Sequence, residues 1–224
     1  MIIGISGYVG NRLTGIGRVL INILSELAKQ YPEDKYVLFR NFDFKEYDNL
    51  TQYQNIEIVD VPYTKESGLK NILWHQWLFQ KLLKKYKCDI AYIPNFTLLL
   101  WKTIPTIVTI HDLIEYNVPD KFSKARMFYR KQVCDPLMAK KSNHILTVSK
   151  SSYKDIISYL GVKPSKLTLT LNATDRNVFK KYSKEKIIPA IKKYNLEYKK
   201  YLLFVGTIDF PGKNINCLLY TSPS

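Results

Sequence analysis

Short apolar runs alternate with amphipathic segments along most of the chain. The runs predict buried strands at residues 1–6, 36–40, 56–59, 90–93, 106–110, 144–148 and 167–171. Between them, apolar residues recur every three or four positions, which predicts helices at about 16–27, 69–85, 123–141 and 149–161. Continuous apolar strands separated by such helices indicate a parallel sheet covered on both faces, a doubly wound α/β domain.

The helix boundaries and buried faces follow from local chemistry. Thr14, Ser123 and Ser149 are placed to cap three helices, and Gly161 is placed to end the last of them. In the helix at 69–85, the spacing predicts an inward face formed by Leu69, Ile72, Leu73, Trp77 and Leu78.

The domain organisation changes near Asn172. Residues 1–172 complete the predicted sheet, and 173–200 are polar and rich in lysine, as expected for an interdomain linker with one helix near 185–194. A new apolar run from Tyr201 predicts a further strand and turn over 201–216.

Composition restricts the class of protein. With 46% hydrophobic residues, the 224-residue chain can form a real core, and no apolar run approaches the roughly 20 residues that span a bilayer. The N-terminal run lacks a basic leader and cleavage site, and the three cysteines have no paired spacing. A cytoplasmic protein without a signal peptide is therefore expected.

A net charge of +15 attracts anionic partners. Nucleotide phosphates, anionic lipid headgroups and nucleic acid all qualify, although no nucleic-acid-binding signature accompanies the lysines. A cytoplasmic membrane face is preferred over nucleic acid, and solvated lysine-rich helices are the simplest alternative.

Two glycine patterns follow the first strand. Gly4, Gly7 and Gly10 have the spacing of nucleotide-sugar epimerases and other dehydrogenases, but amphipathic periodicity begins only at Ile16. The second pattern, Thr14-Gly15-Ile16-Gly17-Arg18, lies at the predicted helix start, where free N–H groups suit a phosphate. The second loop is the better candidate for binding a donor diphosphate.

His111 and Asp112 follow the strand at 106–110, at the sheet edge where such folds bind ligands. The imidazole can donate to a sugar hydroxyl or phosphate and the carboxylate can accept from hydroxyls, while a simple capping turn is the alternative. His75, within the helix at 69–85, is predicted to be a packing residue. No histidine pair has metal-ligand spacing, so no metal site is predicted.

Several segments together resemble the glycosyltransferase family 4 enzymes, in particular their mannosyltransferase-like branch. They are TGIGRVLINILSEL, PTIVTIHDLIEYNVPDKFS, FYRKQVCDPLMAKKSNHILTVSKSSYKDIISYLGV, LNATDRNVF and YLLFVGTIDFPGKN, and they occur in the family's order. Two positions depart from that pattern. Ala173 stands where many members have Gly, and Gly212 stands where Arg often precedes the lysine.

The resemblance implies a GT-B enzyme, in which an N-terminal Rossmann-like acceptor domain faces a nucleotide-sugar domain. It implies a retaining, metal-independent transfer of a hexose that needs no cofactor. The expected sugar is mannose, moved from GDP-mannose to a surface glycan or a lipid-linked acceptor. By the same resemblance, Gly15, Gly17 and Lys213 would contact the donor diphosphate, His111 would be catalytic, and Asp112 is a candidate sugar contact.

The resemblance also bears on the last residues. Residues 201–216 resemble the first strand and turn of the donor domain, and 217–224 look like a translated sequencing adaptor. The expectation is therefore a truncated enzyme that is inactive by itself and packs poorly over 201–224. An NAD-dependent nucleotide-sugar epimerase or dehydrogenase, and a basic nucleic-acid-binding module, remain the alternative functions.

Overall fold

The computed structural model describes residues 1–8, 13–61, 68–174, 179–206 and 213–221. They divide into two compact units, Met1–Asn172 and Ala173–Ser224. Each unit is described separately below.

In the part of the first unit that the structure describes, a parallel sheet of seven strands forms the centre. Its strand order is β3-β2-β1-β4-β5-β6-β7. The sheet confirms the predicted doubly wound α/β class, and its strands differ from the predicted runs by only one or two residues. They are β1 (Ile2–Gly7), β2 (Lys35–Arg40), β3 (Ile56–Asp60), β4 (Ile90–Ile93), β5 (Thr106–Thr109), β6 (His144–Thr147) and β7 (Leu167–Leu169).

Helices connect the strands and cover the sheet. In the first unit they are α1 (Gly15–Gln30), α2 (68–85), α3 (Ile114–Asn117), α4 (124–141) and α5 (Lys150–Leu160), with short 3₁₀ helices at Lys45–Leu50 and Pro164–Lys166. Both α2 and α4 contain a π-helical turn, at Trp74–Leu78 and Tyr129–Cys134 respectively. The second unit contains α6 (Lys184–Lys192) and α7 (Ile215–Thr221). Among the residues described, no helix has the length and apolar character needed to cross a bilayer.

The predicted caps are correctly placed, but only one bonds through its side chain. Ser149 Oγ accepts a hydrogen bond from the backbone N–H of Ser152 at 3.0 Å, and Gly161 ends α5 in the left-handed region at φ 62°. Thr14 and Ser123 occupy the N-cap positions of α1 and α4 without a side-chain cap bond.

Two apolar clusters lie on the two faces of the sheet. One packs strand residues such as Phe39 and Val108 against α2, α4 and α5, and the other packs Ile5 and Leu38 against α1. Adjacent strand residues therefore enter opposite clusters, which explains why the strands are continuous apolar runs rather than alternating ones.

The predicted inward face of α2 is largely wrong. Leu69, Leu73 and Trp77 are exposed, and the face buried against the sheet is formed by Trp74, His75, Gln76, Phe79, Gln80 and Leu83. The π-helical turn adds a residue to one turn of the helix, which changes the register of Trp77 and of the residues beyond it relative to a regular helix. The exposure of Leu69 and Leu73, which precede the turn, is a separate difference from the prediction.

The strand predicted from Tyr201 is also not formed. Residues 201–206 have no regular secondary structure, and Leu202, Leu203 and Val205 are exposed there. A strand is stable only when its backbone groups pair with a neighbour, and the described residues of the second unit contain no strand.

A buried polar network joins β1 to α2. The Trp74 indole N–H donates to Ser6 Oγ at 3.2 Å, and Ser6 Oγ lies 3.0 Å from His75 Nε2. His75 Nδ1 faces the Asn71 carbonyl at 2.9 Å, so Nδ1 carries the proton and Nε2 accepts from the serine. Burial lowers the pKa of His75 to about 4, which keeps the ring neutral at physiological pH and confirms its predicted packing role.

We expect Ser6→Ala to destabilise the protein by about 1–3 kcal/mol, because it leaves the Trp74 and His75 ring nitrogens buried without their shared partner. Urea denaturation at neutral pH measures this change. Ser158→Ala, on the exposed side of α5, is the matched control and should be nearly neutral. Equal stabilities for the two variants would contradict the role of Ser6.

Candidate functional site

The candidate site lies at the carboxyl edge of the sheet. Because all pairings are parallel, the loops after β1, β4 and β5 leave the sheet on the same edge. The strand order reverses direction at β1 and β4, and ligands of such folds bind in the crevice beyond that point.

Side-chain hydrogen bonds to backbone carbonyls connect these loops. Asn95 Nδ2, after β4, donates to the carbonyl of Tyr8, after β1, at 2.5 Å. His111 Nε2, after β5, donates to the carbonyl of Pro94 at 2.9 Å, and Ser152 Oγ of α5 donates to the carbonyl of His111 at 2.8 Å. The ends of the three strands and the start of α5 are therefore fixed relative to one another.

The contact with Pro94 determines what His111 can offer a ligand. A carbonyl oxygen only accepts, so Nε2 carries the hydrogen. The other ring nitrogen, Nδ1, has no hydrogen-bond partner among the described residues. In the neutral ring Nδ1 accepts, so a ligand hydroxyl would donate to it, whereas the sequence led us to expect the imidazole to donate.

Asp112 forms the local turn that was the alternative interpretation of the His-Asp pair. Its Oδ1 accepts a hydrogen bond from the backbone N–H of Ile114, at the start of α3, at 3.3 Å, and the residue is exposed. Oδ2 remains available toward solvent.

The two glycine patterns have different structural roles. A Cβ on Gly4 would lie 2.2 Å from Leu83 Cδ2, and one on Gly7 would lie 2.8 Å from the Phe39 carbonyl, so both are required for packing inside the domain. Gly10 lies outside the described residues. A Cβ on Gly15, in contrast, would meet nothing within 4 Å, and Gly17 is buried in the first turn of α1. Open space at a helix N-terminus is thus found at the second pattern.

A cavity of about 750 Å³ opens between α1, α2, α4 and the loop after β4. Ile16, which separates the two glycines, lines it together with polar and aromatic groups, but His111 is not part of its wall. The other lining residues are Tyr8, Gly68, Asn71, Ile72, Asn95, Phe96, Thr97, Leu98, Arg126, Tyr129 and Arg130. Asn95 Oδ1 is buried there and accepts no hydrogen bond from the described residues.

Beneath one wall of the cavity lies a buried charge cluster. The Arg130 guanidinium lies 3.8 Å from the Phe96 ring centroid, and its Nη2 is 3.2 Å from Oε2 of the fully buried Glu115. Burial, and next the neighbouring Glu115 carboxyl group, raise the pKa of Asp135 well above its ordinary value. Asp135 is therefore protonated at neutral pH, and a single carboxylate balances the charge of Arg130.

Arg126 supplies a more accessible positive charge. It is exposed at the cavity wall, lies 4.3 Å from the Phe122 ring centroid, and pairs with no carboxylate in the part of the chain that the structure describes. Arg126, Arg130 and Asn95 were not predicted from the sequence as site residues. Two signals were available: the four-residue spacing of the arginines on one helix, and the position of Asn95 directly after a buried strand.

Lys213 belongs to the second unit, where it is exposed just before α7. His144, at the start of β6, faces Thr168 Oγ1 at 2.8 Å. Within the described ranges, no group of three histidine, cysteine or acidic side chains is arranged to hold a metal ion.

The family model of Glycosyltransferase Family 4 matches residues 13–178. The chain belongs to Glycosyltransferase Family 4. The match spans both the second glycine pattern and the His111 loop, and it agrees with the resemblance inferred from the sequence.

Individual relatives support the assignment. O-antigen chain mannosyltransferase B from Escherichia coli is 28% identical over 220 residues, which are 92% of this chain and 55% of that protein. The chain thus spans about half the length of this relative. The crystal structure of WaaG, a glycosyltransferase involved in lipopolysaccharide biosynthesis, has a TM-score of 0.67 at 14% identity, covering 97% of this chain and 58% of WaaG.

A second solved structure, Anabaena HepE in complex with UDP and glucose, has a TM-score of 0.56 at 16% identity, covering 87% of this chain and 50% of HepE. At these identities, the two structural likenesses show the fold. The epimerase or dehydrogenase and the nucleic-acid-binding module are not favoured by any of these comparisons.

The raised pKa of Asp135 predicts a pH dependence of stability. Above about pH 4 the Asp135 carboxyl is ionised in the unfolded protein but still protonated in the folded protein. Its contribution to the free energy of unfolding therefore falls as pH rises toward the folded-state pKa. Asp135→Asn cannot titrate and has nearly the same shape. We therefore expect the variant to gain stability relative to wild type by up to about 1.4 kcal/mol per pH unit above about pH 4.

Urea denaturation of both proteins at several pH values measures the difference. Asp120→Asn, at an exposed aspartate, provides the control and should follow the wild type throughout. A constant difference between wild type and Asp135→Asn across the range would show that Asp135 is ionised in the folded protein.

Proposed function

We propose that these residues form the acceptor side of a retaining hexosyltransferase, which transfers mannose from GDP-mannose to a surface glycan or a lipid-linked glycan in the cytoplasm. The observation that carries the proposal is the family match over 13–178, together with the common sheet edge on which the α1 N-terminus and His111 lie. The E. coli mannosyltransferase supports mannose as the sugar.

In this proposal the bond between the anomeric carbon and the diphosphate oxygen breaks, and the acceptor oxygen bonds to that carbon on the same face. The acceptor's proton passes to the departing diphosphate. Gly15 and Gly17 allow the diphosphate to approach the N–H groups of α1. For Lys213, in the second unit, neutralisation of the diphosphate charge stays a prediction from the sequence.

His111 contacts the transferring sugar through Nδ1, since Nε2 is engaged with Pro94. The hydrogen bond orients the ring, and the lone pair on Nδ1 faces the positive charge that develops on the sugar. Asp112 Oδ2 is the adjacent acceptor for a sugar hydroxyl.

The cavity near Ile16 is the proposed acceptor pocket. Phe96 and Tyr129 provide apolar surface for the faces of sugar rings, and Asn71 and Asn95 provide amides for hydroxyl groups. The buried, unsatisfied Asn95 Oδ1 is suited to accept from such a hydroxyl. Arg126 adds a charge suited to a phosphate or carboxylate on the acceptor.

The 224 residues are proposed to be inactive by themselves, because the chain corresponds to about half of the E. coli relative. We expect no GDP formation from GDP-mannose when the chain is assayed alone. A chimera of residues 1–172 with the part of the E. coli mannosyltransferase that follows its counterpart of residue 172 should transfer mannose to an oligomannose acceptor, detected by mass spectrometry.

In the active chimera, His111→Ala should lower the transfer rate by about 100-fold or more, because it removes a group that stabilises developing charge. His144→Ala, at the opposite edge of the sheet, is the matched control and should retain the rate. Full activity of the His111→Ala chimera would refute the role of His111, and turnover by the chain alone would refute its inactivity.

A further inference from the structure

Two tryptophans form an exposed pair on the flank of the first unit. Trp77 of α2 and Trp101 of the loop after β4 pack edge to face, with ring centroids 5.3 Å apart. Trp77 is 57% exposed and Trp101 41% exposed. Large aromatic rings left in water in this way usually mark a surface that binds something.

The exposed apolar surface continues along α2. Leu69 and Leu73 precede Trp77 at four-residue intervals, and Leu100 precedes Trp101 in the loop; all three leucines are exposed. We call these five residues, Leu69, Leu73, Trp77, Leu100 and Trp101, the tryptophan patch. The π-helical turn that rotates Trp74, His75 and Gln76 inward also leaves Trp77 outside.

Buried hydrogen bonds hold the loop that carries Trp101. Gln76 donates through Nε2 to the Leu98 carbonyl at 2.8 Å, and its Oε1 accepts from the backbone N–H of Trp101 at 3.2 Å. One turn later, Gln80 Oε1 accepts from the N–H and the hydroxyl of Thr103, at 3.0 and 2.9 Å. The two ring systems are therefore fixed side by side, and binding through them needs little additional ordering.

The two segments that carry the patch contain basic residues and no acidic ones. Residues 68–88 contain five lysines and no acidic residue, and residues 90–111 also contain no acidic residue. Lys81, Lys84 and Lys85 are exposed on the part of α2 that follows Trp77. The whole chain has a net charge of +15.

We propose that the tryptophan patch docks onto the surface of an anionic lipid bilayer. Tryptophan rings prefer the headgroup level of a membrane, where the ring is apolar and its N–H remains hydrated. The leucines enter the acyl boundary, and the lysines meet lipid phosphates while their stems cover apolar surface. Charge complementarity favours an anionic lipid over a second copy of this basic chain.

The docking goes beyond the proposed transferase activity and does not require it. It does place the acceptor cavity in a useful position, because Gly68, Asn71 and Ile72 line that cavity from the same helix turns that present Leu69 and Leu73. A glycan attached to a lipid in the bilayer would then approach the cavity from its rim.

The test is flotation of the 224-residue chain with lipid vesicles, accompanied by tryptophan fluorescence. We expect the chain to float with vesicles of phosphatidylcholine and phosphatidylglycerol but not with phosphatidylcholine alone, with a blue shift in emission and weaker binding at high salt. Trp77→Ser/Trp101→Ser should reduce affinity at least about tenfold, and Lys81→Gln/Lys84→Gln/Lys85→Gln should flatten the salt dependence.

Matched controls alter exposed residues outside the patch. Phe128→Ser/Tyr194→Ser removes two exposed aromatic rings, and Lys184→Gln/Lys192→Gln/Lys193→Gln removes three charges from the second unit; both should bind vesicles as the wild type does. Trp74 is fully buried and becomes the only tryptophan in the double tryptophan variant, so its emission reports whether that variant is folded.

Three results would overturn the proposal. One is a wild-type chain that does not float with anionic vesicles, and another is a folded Trp77→Ser/Trp101→Ser variant that binds them undiminished. The third is self-association of the wild type in light scattering that the same variant abolishes while vesicles remain unbound, since the patch would then bind a second copy. None of these results depends on sugar transfer, so they leave the proposed function to its own experiment.

Discussion

The carboxyl edge of the sheet depends on side chains that satisfy backbone carbonyls beyond the ends of the strands. A parallel ladder stops at Gly7, Ile93 and Thr109, but the chain continues through the buried residues Tyr8 and Pro94, whose carbonyls still need donors. Asn95 and His111 supply those donors across neighbouring loops. The same bonds fix the His111 tautomer, so one arrangement of hydrogen bonds determines both the shape of the edge and the nitrogen available to a ligand.

The two π-helical turns determine which side chains of α2 and α4 lie in the interior and which lie at the surface. In α2 the turn directs Gln76 into the domain, where it holds the loop after β4, and leaves Trp77 in solvent. In α4 the turn contains Arg130, which lines the cavity and pairs with the buried carboxyl group of Glu115. π-helical turns are uncommon and frequently occur at functional sites, and here the turn in α4 contributes Tyr129 and Arg130 to the wall of the cavity.

The sequence was sufficient for the sheet and for the general position of the site. Strands buried on both faces are visible as apolar runs, and parallel connections bring the glycine pattern at Gly15 and the His111 loop to one edge. The face of α2 was not predictable, because its register changes within the helix. The packing role of Gly4 and Gly7 and the unusual protonation of Asp135 were equally hidden, since they depend on neighbours distant in sequence, such as Leu83 and Glu115.

The central claim is that a sugar nucleotide approaches this one edge, between the α1 N-terminus and the imidazole of His111. NMR titration of the isotopically labelled chain with GDP-mannose at millimolar concentration tests it most directly. We expect the signals of Gly15, Gly17 and the His111 ring to shift together, while His144, at the opposite edge, does not respond. Shifts confined to residues away from this edge, with those three signals unmoved, would contradict it.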